Sequence, residues 1–321
     1  MKATVPYGVR LVVLMSLFYL LSFKSHSQSV TLGGGKIEIG LGLGPSFFLG
    51  DLGGNHGKVT TLVKDVNLPL TKLSKGIFLN VFPAEWLGFR VALNFSQLEG
   101  IDSIIKNSGG AEIYRKRRNL TFRSKISEAY VAMELYPTYF FERYDGLQYK
   151  LRPYGIIGVG TFRFNPQGLY IDPSGNQKWV DLKPLRLEGQ GMAEYPERKD
   201  YSLSQFEVLM GFGFKYYMKE SMYVGFEILH RKTFTDYVDD VSTSYIDPSL
   251  FDIYLTPENA IIAKQLMYRE NLHDPSITRP YINDQRGDPK DLDAFFSSIL
   301  RIGWRLKNSG SNNQLKCPVF Y

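Results

Sequence analysis

Gln205-Phe206-Glu207-Val208-Leu209-Met210-Gly211-Phe212-Gly213-Phe214-Lys215-Tyr216 is the stretch that decides how this chain folds. Phe206, Val208, Met210, Phe212, Phe214 and Tyr216 recur at every second position, interleaved with Gln205, Glu207, Gly211, Gly213 and Lys215. Side chains on a strand alternate between two faces with period two, so this segment reads as a strand with one greasy face and one polar face. Such a strand fits a half-buried soluble sheet, or a barrel with lipid outside and a polar lumen.

Seven more segments show the same pattern. Ile37, Ile39, Leu41 and Leu43 share a face in the segment 36–48, opposite Glu38, Gly40, Gly42 and Gly44. Ile77, Leu79 and Val81 share one in 74–82, and Phe89, Val91, Leu93 and Phe95 share one in the next strand. Ala129, Val131, Met133 and Leu135 follow in 123–136. The segment 151–164 alternates weakest, because Gly155, Gly158 and Gly160 interrupt it, and glycine in a strand often marks a bend or a close approach. Val224, Phe226 and Ile228 define the seventh strand, and Phe296, Leu300, Ile302, Trp304 and Leu306 the eighth, over 294–307. A helix is compatible with 257–267.

The gaps between these strands run long, short, long, shorter, long, short, long. Outer-membrane barrels have short periplasmic turns and long external loops, and a soluble sandwich has no reason to sort loop length by parity. The expected fold is therefore all-β: an eight-stranded antiparallel transmembrane β-barrel, with short periplasmic turns and long external loops. A lipocalin-like soluble barrel or a sandwich is the alternative.

The amino terminus reads as a secretory signal. Lys2 and Arg10 precede an apolar run over 11–23, and Ser25-His26-Ser27 places small residues before a cleavage between Ser27 and Gln28. The run is too short to cross a bilayer as a helix, which takes about 20 residues. This divides the chain into a signal peptide (1–27), a barrel (28–307) and a periplasmic C-terminal tail (308–321). Removing Lys2, Arg10 and Lys24 lowers the formal charge from +6 to +3, which gives little support to a nucleic-acid partner. Cys317 is the single cysteine, so an intramolecular disulfide is excluded.

Catalytic and metal signatures are weak. The glycines of Gly40-x-Gly42-x-Gly44 fit a narrow lumen rather than a nucleotide loop. His26, His56, His230 and His273 lie far apart without metal-ligand spacing, and there is no G-x-S-x-G elbow. No cofactor is expected. Asp236, Asp239, Asp240 and Asp247 offer hard oxygens to Ca²⁺, but their spacing fits no EF-hand loop and loop packing is preferred. Arg115, Lys116, Arg117 and Arg118 form the densest charge run, read either as a contact for lipopolysaccharide phosphates or an acidic partner, or as a solvated loop. Arg90, Glu128, Glu134, Glu207, Lys215, Glu227, Arg231, Arg301 and Arg305 fall on inward faces. Charges there are tolerable only if paired or hydrated, so a plugged, ion-paired interior is expected.

Several connecting segments resemble a known family. They are FFLGDLGG at 47–54, YRKRRNLTFRS at 114–124, TDYVDDVSTSYID at 235–247, RGDPKDLDAFF at 286–296 and KCPVF at 316–320. As a set they resemble a Bacteroidota family of small outer-membrane barrels that includes PorG of the type IX secretion and gliding-motility machinery. The resemblance spans nearly the whole mature chain. It implies a barrel in the outer membrane that associates with periplasmic subunits of the secretion complex, and it does not imply catalysis; contact with outer-membrane lipids and lipopolysaccharide is expected of a barrel so placed. The motif residues that it singles out, without assigning them a role, are Gly50, Asp51, Arg118, Asn119, Arg123, Asp236, Asp239, Asp240, Arg286, Asp288 and Cys317.

Overall fold

A computed structural model describes residues 36–52, 70–104, 115, 118–140, 151–219, 221–269 and 282–306. The signal cleavage site at Ser27 and Gln28, the tail with Cys317, and Lys116 and Arg117 lie outside the described residues.

Eight long strands close into a ring. They are β1 (Lys36–Leu49), β2 (Lys72–Ala84), β3 (Leu87–Ile101), β4 (Thr121–Leu135), β5 (Leu151–Arg163), β8 (Ser204–Lys219), β9 (Met222–Thr233) and β10 (Ala294–Leu306). Each pairs antiparallel with its neighbours, and β10 pairs back onto β1. Closure leaves the wall without a free edge, as strands in lipid require.

The register sets the size of the barrel. Glu38 pairs with Asn80, which continues through Arg90, Ala132, Gly158, Leu209, Arg231 and Phe295. Phe295 pairs with Phe48, so one circuit climbs ten residues along β1. Eight strands with that stagger tilt by about 40° and enclose a cylinder about 8 Å in backbone radius, from the usual rise and spacing of strands. Side chains fill such an interior.

Outside, the alternation becomes a greasy belt. Leu41, Ile77, Val91, Val131, Val159, Phe212 and Leu300 are all more than half exposed, Phe212 by 63 % and Leu300 by 66 %. Trp86, Tyr216 and Trp304 lie near the end that carries the short turns and are also partly exposed. An apolar surface that circles a whole barrel has no place in water, and lipid is the solvent that it matches. The weak alternation of β5 has a local reason. Gly155 faces open space, whereas an added Cβ at Gly158 would meet Ala132 and one at Gly160 would meet Tyr130.

The long connections at the other end do not stay irregular. Residues 165–203, one of the long gaps between wall strands, contain the hairpin β6 (Pro166–Ile171) and β7 (Gln177–Asp181). β6 pairs with the outer end of β4, so the hairpin extends the wall upward. The helix expected at 257–267 forms there as α2 (Pro257–Met267), after a short α1 (Leu250–Tyr254). Thr256 starts α2, its hydroxyl accepting from the Asn259 amide at 3.4 Å, with proline in the first helical turn. Leu182, Leu187, Ile246, Phe251, Ala263 and Leu266 pack these pieces into a core of their own. The external connections thus form a folded cap.

Candidate functional site

Two buried polar constellations stand out, one inside the barrel and one at the base of the cap. In the barrel the inward positions of all eight wall strands converge because the lumen is narrow. Gly40 helps to fit them: a Cβ there would collide with the Phe78 ring.

Arg90 on β3 is fully buried and binds two carboxylates, Glu134 and, at 2.7 Å, Glu227. Glu134 also receives Lys215 Nζ at 3.2 Å and Asn80 Nδ2 at 3.0 Å. Lys215 Nζ reaches on to Glu38 at 2.9 Å, and Arg305 binds the other oxygen of Glu38 at 3.0 Å. Glu227 takes Arg301 at 2.6 Å and the Tyr154 hydroxyl at 2.7 Å. One layer further out, Arg231 holds Glu128 with Nε at 2.8 Å and Nη2 at 3.1 Å, and Asn94 donates to the same carboxylate. The inward charges read from the sequence are therefore brought together, and all but Glu207 are paired there. Glu207 is buried with no donor on either oxygen. The remaining volume between charged layers is taken by Phe78, Phe82, Tyr130, Tyr136, Tyr223 and Leu209.

The second constellation gathers the family-motif residues. Arg118 sits on Asp102, Nε to Oδ2 at 2.9 Å, and its two Nη atoms donate to the carbonyls of Asp51 and Arg286. Arg286 binds Glu188 at 2.8 Å and the Asp240 carbonyl at 2.6 Å. The carboxylates in turn serve backbone amides that have no ladder partner. Asp239 accepts from Leu52 and Val241, Asp293 from Val238, Glu188 from Ser242 and Thr243, and Asp51 from Asp288. Irregular backbone must satisfy its N–H groups somehow, and short acidic side chains do it locally. Gly50 is required by close approach, since a Cβ would collide with Asp293 Oδ1. Asn119 and Asp240 hold left-handed backbone, with φ of 53° and 63°. Arg123 lies apart, clamping the hairpin with its guanidinium 4.2 Å from the Trp179 ring centroid and a bond to Gln167.

These placements correct one expectation. Arg118 is 5 % exposed and its guanidinium is fully engaged, so it is not a lipopolysaccharide contact. Arg115 is partly exposed. The Ca²⁺ reading also separates: Asp239 and Asp240 are buried loop-packing groups, whereas Asp247 caps the turn at Ser249. Among the described residues no group of three or more His, Cys, Asp or Glu is arranged to hold a metal ion. Asp102, Glu188 and Arg269 belong to this region and carried no local signature in the sequence, and Asp293 lay within the quoted segment 286–296 without being singled out.

Burial dominates the electrostatics of the cap. It pushes Asp236 up to about 8 and Asp240 up to about 7, although Arg286 pulls Asp240 the other way. It raises Asp239 and Asp293 as well, with neighbouring carboxylates adding to the effect. On Arg118 burial pulls the pKa down, but the Asp102 carboxylate, with Tyr245 and Asp51 adding to it, more than offsets burial and the pKa rises.

A closed wall with a continuous apolar exterior, an ion-paired interior and all long connections at one end admits one placement. The protein is an outer-membrane β-barrel. No family model and no curated protein matches the chain. Solved structures similar to it include a major outer membrane protein of Thermus thermophilus, at 12 % identity and TM-score 0.37, over 85 % of this chain and all of that one. OprG of Pseudomonas aeruginosa is similar at 10 % identity and TM-score 0.36, covering 86 % of this chain and 97 % of OprG. Ail of Yersinia pestis is similar at 9 % identity and TM-score 0.32, covering 85 % and 97 %. Identities this low say nothing of function.

Proposed function

We propose that this barrel is a non-enzymatic structural component of the type IX protein secretion and gliding machinery, anchoring a periplasmic assembly to the outer membrane. The observation that carries the reading is the sealed interior. Arg90, Glu134, Lys215, Glu38 and Glu227 are 0 % exposed and bound to one another across the lumen. A lumen filled this way offers no path to a solute and no cleft to a substrate, so the work of the protein falls to its rims. The motif resemblance supports the choice of machinery. The contacts to partners fall on the short turns, which carry Glu85 and Trp86, and on the C-terminal tail.

Crosslinking in native membranes, followed by recovery of the barrel, is expected to capture periplasmic secretion subunits, and deletion of the gene is expected to block export of type IX cargo. Intact export in the deletion strain would make the protein a paralogue with a different task. Planar-bilayer recordings are expected to lack large, stable conductance steps.

A second reading has an observation of its own, the folded cap. External connections that build a hydrophobic core around α1, α2 and the β6–β7 hairpin suit a surface-exposed binding or adhesion barrel. Under it, removing the cap abolishes binding to glycan or cell while secretion persists.

A further inference from the structure

Arg269 differs from the other buried arginines. Arg90, Arg118, Arg231, Arg286 and Arg301 each hold a carboxylate. Arg269 is 6 % exposed, and among the described residues no acid pairs with it. Its Nε is buried without an acceptor. A guanidinium cannot shed its proton to escape this, and an unpaired buried charge costs several kcal/mol. Burial alone acts on its pKa and lowers it.

The side chain lines a small pocket at the base of the cap. Leu52, Leu120, Leu182 and Leu266 form apolar walls, and Arg286 lines the pocket beside Arg269. Arg286 also has a buried Nε without an acceptor. The pocket admits one species of roughly water or halide size. Asp239 borders it too, but both of its oxygens are taken by the amides of Leu52 and Val241. Arg269, with no acid of its own, and Arg286, with its Nε free, line the same apolar-walled pocket, and an anion there is attracted to them because little solvent screens the charge. The size selects a monatomic anion over phosphate or sulfate.

We propose that this pocket is a halide site, in which chloride bound by Arg269 and Arg286 fastens the four external connections together. Leu52 leads out of β1, Leu120 leads into β4, Leu182 follows the β6–β7 hairpin and Leu266 is on α2, so one ion touches all four.

Bromide tests this on the full mature chain folded in detergent. Crystals soaked in bromide are expected to show an anomalous peak within hydrogen-bond reach of the Arg269 guanidinium. The peak is expected to vanish in Arg269→Met while peaks on surface lysines remain. Bromide scattered over the surface with none in the pocket would overturn the site, and so would an undiminished pocket peak in the variant. In solution, cap cleavage by a protease in gluconate buffer is expected to slow about tenfold when bromide reaches ten times its dissociation constant. A wild-type rate indifferent to bromide overturns the clamp, whether or not the variant folds.

Discussion

Inside the wall, Glu38, Glu128, Glu134, Glu207 and Glu227 stand among Arg90, Lys215, Arg231, Arg301 and Arg305, one cation for each acid. At the base of the cap, Asp102, Glu188, Asp236, Asp239, Asp240 and Asp293 are buried and, among the described residues, the buried cations beside them are Arg118, Arg269 and Arg286. The difference follows from what the backbone needs. Barrel strands satisfy their own amides through the ladder, so the lumen acids are free to pair with cations. Cap loops have no ladder, and their acids are spent on amides. Charge balance in the lumen and acid excess in the cap are thus two answers to one demand, that buried polar groups find partners, a demand left unmet at Glu207 in the lumen and at the Nε of Arg269 in the cap.

The comparison predicts different penalties for damage. Arg90→Met should be the most destructive change, since it takes a cation from two buried acids at once, leaving Glu134 to Lys215 and Glu227 to Arg301. Removing one partner of a buried pair typically costs about 3–5 kcal/mol. Urea unfolding in detergent should show the whole barrel destabilised. A loss below about 1 kcal/mol would mean that the lumen is wet enough to hydrate the acids left behind.

The outer surface gives the next largest effect. Phe212→Arg, in the middle of the belt, should cost about 2–4 kcal/mol, whereas Phe234→Arg, beyond the end of β9, should cost about 0–1 kcal/mol. The two positions are similarly exposed, at 63 % and 56 %. Equal penalties would show that the apolar belt does not mark the bilayer.

Glu188→Gln acts on the cap alone. It removes the charge that holds Arg286 and weakens the acceptor for the Ser242 and Thr243 amides. A loss of about 1–3 kcal/mol is expected locally. Hydrogen exchange should rise at residues 241–246 and stay unchanged in the eight wall strands. Exchange rising together in both regions would make cap and barrel one cooperative unit.

Much of this was legible in the sequence where period two governs. Phe212 outward with Lys215 and Glu207 inward follows from alternation alone, and the parity of loop lengths orders the strands. The helix expected over 257–267 opens on Pro257, as α2 does. The β6–β7 hairpin was missed, although Asp172-Pro173-Ser174-Gly175 is a turn sequence flanked by Leu169, Tyr170, Trp179 and Val180. The meeting of Asp51, Arg118, Glu188 and Arg286 was not legible, because four separate connections supply them and no spacing rule links such residues. Family resemblance flagged Asp51, Arg118 and Arg286 but gave them no role. Charge density misled at Arg118, where the preceding run suggested a surface and the partner, Asp102, lies across the connection.

Acidity offers the smallest and finest separation of the two regions. Burial raises Asp236 to about 8 and Asp240 to about 7, from an ordinary value of 3.8. The folded cap therefore binds protons more tightly than the unfolded chain does. Its stability from these groups is full below about pH 4 and is lost as pH rises through 7 and 8. Trp179 reports on the cap, and Trp86 and Trp304, which lie in the wall and its short turn, are the only other tryptophans. With Trp86 and Trp304 replaced by phenylalanine, Trp179 fluorescence in mild denaturant should show the cap loosening between pH 6 and pH 9. Asp236→Asn together with Asp240→Asn should flatten that profile, because neither amide titrates. Loosening that persists in the double variant would place the titrating groups elsewhere, with Asp239 and Asp293 the next to replace.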